Sequence, residues 1–145
     1  MTQSEIPPLL RESNRKIRSL VEEAFSQHGL NDLRPQDGMI LWYIVNHPGC
    51  SSADLQVINH MAKSSISESL SVLCNAGYIV YSTNEENRRE KLIAVTEKGI
   101  EHQRKVGEVL SEISAFVLDG ISEEEQEVLK RSLKKIIENI ERRNG

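Results

Sequence analysis

Apolar residues recur at helical spacing through most of this chain and change to short alternating runs in one place. Ile17, Leu20, Val21, Ala24 and Phe25 fall at i, i+3, i+4 spacing with charges between them, which predicts a first helix over residues 5–28, closed at His28-Gly29. Pro7-Pro8 suits its lead-in or first turn. Pro35 suits a first helical position, and the almost unbroken apolar run from Met39 to Val45, stopped by His47-Pro48-Gly49, predicts a second and more buried helix. Ser51 and Asp54 have capping-box spacing before a short third helix, whose stripe is Leu55 and Ile58 and whose end lies near Asn59-His60. A fourth helix follows within a few residues. Ala62, Ile66, Leu70, Leu73 and Cys74 share one of its faces, and Ser64, Ser67, Glu68 and Ser71 share the other. Gly77 stands where a left-handed residue would end it, and the runs Tyr78 to Thr83 and Leu92 to Val95 predict a hairpin.

Two long helices complete the pattern. The fifth begins after Thr96 and carries Ile100, Val106, Val109, Leu110, Ile113, Phe116 and Val117 to a stop at Asp119-Gly120. The sixth opens on a Ser122/Glu125 capping box, carries Leu129, Leu133, Ile136, Ile137 and Ile140, and ends in Arg142-Arg143. The fold class is therefore mainly α with a small β-hairpin: a helix-turn-helix and hairpin at about 51–96, flanked by long helices at about 5–28 and 97–143. The long helices expose more apolar stripe than one small core covers, so the expected assembly is a homodimer joined through both chain ends.

Length and composition narrow the function classes. A chain of 145 residues with no long low-complexity segment is read as one domain. No apolar run approaches a membrane span, and the N-terminus lacks the basic-then-apolar pattern of a secretory signal, so a cytoplasmic protein with no membrane partner is expected. Cys50 and Cys74 lack metal-ligand spacing and read as free thiols; Cys50, just before a helix start, is where backbone amides would lower a thiol pKa. His28, His47, His60 and His102 are scattered, and neither a phosphate loop nor a nucleophile motif is present. No metal, cofactor or catalytic residue is expected, and the protein is read as a non-enzyme.

The chemistry concentrates in residues 62–96. A solvent face usually collects Glu and Lys, but here it carries Ser64, Ser65, Ser67 and Ser71, whose short hydroxyls allow close approach to phosphates and base edges. Glu68 on the same face suits a cytosine amino group in a major groove. Lys63 at the helix entrance suits a phosphate, and Arg88 and Arg89 at the hairpin tip suit the negative potential of an adjacent minor groove. The net charge of −4 does not exclude such a local patch, although Glu85, Glu86 and Glu90 surround the arginines.

This order of elements resembles the MarR family of winged-helix transcription regulators over nearly the whole chain. The wing carries the most specific part: Asn87-Arg88-Arg89, then a short apolar strand to Val95-Thr96, then Gly99 three residues on, against a family pattern of aspartate, one residue, arginine, and later Leu-Thr and glycine. Arg89 matches the motif arginine. Three positions depart from the pattern: Asn87 replaces the aspartate, Ala62 replaces a capping serine, and Glu68 stands where a basic residue is common. The resemblance implies a dimeric, sequence-specific binder of double-stranded DNA, a repressor released by a small aromatic ligand held near Met39, Trp42 and Tyr43. The competing reading is a winged-helix protein-interaction module with weak or no DNA binding, which the acidic surroundings of the reading helix favour.

Overall fold

The structure, a computed structural model, describes residues 2–59, 61–89 and 91–145; the side chains of residues 57–59 also lie outside the described set. Expectations for Ile58, His60 and Glu90 therefore fall outside it. The element order is α1 (Ile6–Gln27), α2 (Pro35–Asn46), α3 (Ser52–Asn59), α4 (Lys63–Asn75), β1 (Ile79–Thr83), β2 (Lys91–Val95), α5 (Glu97–Val117) and α6 (Glu123–Asn144). These elements form two compact units, Met1–Glu112 and Ile113–Gly145.

In the first unit the core gathers Ile40, Leu41 and Ile44 of α2, Leu55 of α3, Ile66, Leu70 and Leu73 of α4, and Ile79 and Ile93 of the hairpin. Each of these positions belongs to an apolar stripe, so burial rather than local propensity joins the helices to the strands. The α3 capping box forms: Ser51 N–H donates to Asp54 Oδ2 at 2.9 Å, and Asp54 N–H donates to Ser51 Oγ at 3.3 Å. α4 starts at Ala62 with no side-chain cap. It ends at Gly77, whose φ of +83° lets Gly77 and Tyr78 return their N–H groups to the Cys74 and Leu73 carbonyls.

The hairpin pairs Ile79 with Val95 through Thr83 with Lys91, antiparallel. A knot of bonds then ties it to α5. Thr96 N–H donates to the Tyr78 carbonyl at 3.0 Å, Thr96 Oγ1 donates to the Gly77 carbonyl at 2.6 Å, and Gly99 N–H donates back to Thr96 Oγ1 at 3.1 Å. A Cβ at Gly99 would lie 2.3 Å from the Tyr78 carbonyl oxygen. Close packing of α5 against the turn before β1 therefore requires glycine there.

One expectation changes, and one that holds, the more buried second helix, is sharpened. Ala62 is exposed at the cap position instead of joining the packed face of α4. The Met39 to Val45 run is not uniformly buried: Ile40, Leu41, Tyr43 and Ile44 are, but Met39 is 48% and Trp42 56% exposed, because the run continues around the helix past the core-facing side.

In the second unit α6 is capped by Ser122, whose Oγ accepts from Glu125 N–H at 3.1 Å; Glu123, Glu124 and Glu125 sit in its first turn and Arg142 and Arg143 in its last, matching the helix dipole. No α6 side chain is buried, and Leu129, Ile137 and Ile140 are exposed. Among the described residues, no helix is long and apolar enough to cross a membrane.

Candidate nucleic-acid interface

The stripe of α4 opposite the core consists of Ser64, Ser67, Glu68 and Ser71, all exposed at i, i+3, i+4, i+7 spacing. Lys63 is exposed at the first helical position. Ser65 is half-buried at the edge of the stripe, and its carbonyl accepts from Gln36 Nε2 at 3.3 Å. The same Gln36 nitrogen donates to the buried Ser69 Oγ at 2.7 Å. Gln36 and Ser69 thus hold the helix that carries the serines. Neither stood out in sequence, because a buried serine interrupts an apolar stripe without announcing its partner.

At the hairpin, Arg88 and Arg89 are exposed. Asn87, which replaces the family aspartate, does not reach the Arg89 guanidinium; its Oδ1 accepts from the Arg89 backbone N–H at 3.2 Å, shaping the turn. Ser67 and Ser71 of α4 and Arg89 of the hairpin line one open groove of about 700 Å³, together with Ser52 at the start of α3, Tyr81 and Lys91. Lys63, Ser64, Ser65, Glu68 and Arg88 lie outside its lining. Tyr81 and Lys91 were not expected there; Lys91 Nζ stands 5.8 Å from the Tyr81 ring centroid, a cross-strand contact visible only once the register is known.

A charged brace reaches this helix from the residue before α2. Arg34, just before α2, donates from Nε and Nη2 to Asp37 at 2.9 Å each, and from Nη1 to Glu68 Oε1 at 2.9 Å. Asp37 is fully buried. Burial would raise its carboxyl, but hydrogen bonds from Arg34 and Ser69 outweigh that and hold it below the usual carboxylate range.

A second cavity of about 490 Å³ lies among Val21 and Phe25 of α1, Met39 and Trp42 of α2, and Val106 and Leu110 of α5, with Arg34 and His102 also on its wall. Tyr43 does not line it; it is buried with its ring stacked 3.9 Å from that of His47. His102 is buried, its Nε2 lies 3.6 Å from Asp32 Oδ1, and among the described residues neither ring nitrogen has a hydrogen-bond partner. Asp32 Oδ2 accepts a hydrogen bond from the Tyr78 hydroxyl, and burial together with that bond pushes the Tyr78 pKa up to about 12. Burial draws His102 downward, with Asp32 opposing.

Cys50 is a free thiol, as expected, and its place before α3 does not activate it. It is buried beside Asp54, and burial first, then that carboxylate, push its pKa up; helix amides do not offset loss of solvent. Cys74 is half-buried against the core.

Residues 31–90 match the MarR family model, a span that covers the Arg34 brace, α2 to α4 and β1. That segment has the winged-helix fold of the MarR family. The likeness of fold extends over nearly the whole chain: a SlyA-like transcription regulator from Listeria monocytogenes is 25% identical, with 97% of this chain and 90% of that one covered at a TM-score of 0.73. MarR itself is 22% identical, with 96% and 99% covered at 0.71. A mutant MarR from E. coli, solved in complex with operator DNA, is 17% identical, with 90% and 92% covered at 0.75. No curated protein matches the sequence.

Proposed function

We propose that the protein is a transcription regulator that binds double-stranded DNA as a homodimer, with α4 in the major groove and Arg89 of the hairpin in the adjacent minor groove. The observation that carries this reading is the shared groove: Ser67, Ser71 and Arg89 come from two elements and open on one surface. The fold's likeness to a MarR solved on operator DNA supports it. Residues 1–145 then act as one MarR-like domain. The exposed apolar stripe of α6, and that of α1 with Ile6, Leu9, Ile17 and Leu20, are each suited to cover by a second copy. Two copies would present their reading helices about one turn of DNA apart, roughly 34 Å.

The regulator is read as a cytoplasmic repressor released by a small aromatic ligand. The apolar cavity beside Met39 and Trp42 is of ligand size, and its wall includes Arg34, which also grips Glu68 of the reading helix. A ligand that favours one position of the α2 start would favour one pose of α4.

The test is selection of bound fragments from sheared genomic DNA by the native protein and by Arg89→Ala, at several salt concentrations. The expected result is an enriched pseudo-palindrome, weaker binding by Arg89→Ala, and a salt slope flatter by roughly 0.9 for each phosphate that is no longer neutralised. Binding by Arg89→Ala unchanged at every salt concentration would refute the wing's role. Absence of any enrichment by the native protein would favour the protein-interaction module, a reading suggested by exposed Glu68 on α4 and exposed Glu85 and Glu86 in the hairpin loop.

A further inference from the structure

We infer that Arg34 is a positioning residue for base reading, holding Glu68 as a charge-compensated hydrogen-bond acceptor directed at a cytosine in each half-site; this rests on the DNA-binding reading above. A bare carboxylate on a helix that approaches phosphates is repelled by them. Glu68 is not bare, because Arg34 Nη1 donates to its Oε1 at 2.9 Å.

The guanidinium is itself fixed. Its Nε and Nη2 are both spent on Asp37, the Arg34 backbone N–H donates to Asp37 Oδ2 at 3.1 Å, and Asp37 is fully buried at the start of α2. Of the N–H groups left over, one on Nη1 goes to Glu68. The planar fork therefore serves as a rigid strut from a buried anchor to an exposed tip, which a single-point ammonium cannot reproduce.

The bond uses Oε1, and a carboxylate has acceptor capacity beyond one bond, so Oε2 can serve a base edge. In the major groove cytosine offers only its N4 amino donor, whereas adenine places an N7 acceptor beside its amino group and guanine presents two acceptors. A carboxylate is attracted by the first and opposed by the acceptors of the others. Glu68, a departure from the basic residue expected there, thus changes from a liability to a selector once Arg34 is counted.

The experiment is selection from a randomised duplex library by the full chain in four forms: native, Glu68→Gln, Arg34→Lys and the two combined. Lysine can reach Asp37 or Glu68 but not both. The native protein is expected to enrich one C·G pair in each half-site. Glu68→Gln should lose preference there alone. Arg34→Lys should blur the same position and weaken binding about three- to tenfold, and this loss should shrink to within about twofold when Glu68 is already glutamine. Circular dichroism checks the folding of each form. Glu68 is exposed, so should Arg34→Lys unfold, Glu68→Gln and Glu68→Ala still decide whether the cytosine depends on this carboxylate. The inference is overturned if the cytosine preference survives Glu68→Gln. It is also overturned if Arg34→Lys weakens binding equally in both backgrounds, as a purely structural residue would. Enrichment that Arg89→Ala abolishes but Glu68→Gln leaves intact sinks this inference alone; no enrichment by the native chain sinks it with the DNA-binding reading.

Discussion

Gly99→Ala should loosen the hairpin from α5. An added Cβ would stand 2.3 Å from the Tyr78 carbonyl oxygen and 2.6 Å from Val95 Cγ2, and backbone cannot swing aside as a side-chain tip can. Restoring ordinary separation moves the start of α5 away by about 1 Å. That displacement stretches the Thr96 N–H bond to the same Tyr78 carbonyl, now 3.0 Å, and disturbs the Thr96 Oγ1 bond to Gly77. Overpacking costs about 1–3 kcal/mol and each broken hydrogen bond about 1 kcal/mol, against a gain of about 1 kcal/mol for alanine over glycine in a helix. The net loss is about 2–4 kcal/mol, which at this chain length lowers the melting midpoint by roughly 6–12 °C. Gly107→Ala is the control. It lies in the same helix with nothing within 4 Å of its added Cβ, and should be neutral or stabilising by about 0.5–1 kcal/mol. Thermal and urea unfolding followed by circular dichroism read both variants. If Gly99→Ala melts within about 2 °C of the native protein, or no lower than Gly107→Ala, the steric argument is wrong.

Two further outcomes test the buried groups. Burial holds His102 below its ordinary value of 6.5, so on acidification the unfolded chain takes up this proton first and acid favours unfolding; the stability His102 preserves is complete above about pH 6.5 and lost as pH falls through its folded value. The drop in urea midpoint between about pH 7.5 and 5.5 should be smaller in His102→Gln, and an identical drop would remove His102 from the acid response. Cys50, with its thiol pushed up by burial, should react with iodoacetamide in native buffer at least about tenfold more slowly than in urea, and equal rates would reinstate it as a reactive thiol.

Much of this protein is legible without coordinates, because the signals concerned are local. Capping-box spacing at Ser51 and Ser122, the left-handed stop at Gly77 and the change from helical to alternating periodicity all depend on neighbours a few residues away, and each appears where the spacing places it. The serine face of α4 is equally local, since the apolar stripe behind it dictates which side remains outside. Long-range partners are a different matter and emerge only when the elements pack. Arg34 and Glu68 are separated by 34 positions, Gln36 and Ser69 by 33, and Tyr78 and Asp32 by 46, and no periodicity relates them. Exposure of Met39 and Trp42 in an apolar run, and the raised pKa of Cys50, likewise follow from what packs nearby rather than from the residue's own segment. Local pattern along the chain dictates which elements form and which faces they show. The close packing of α2 against α4 decides that Glu68, a lone charge on the serine face, stands there held by Arg34.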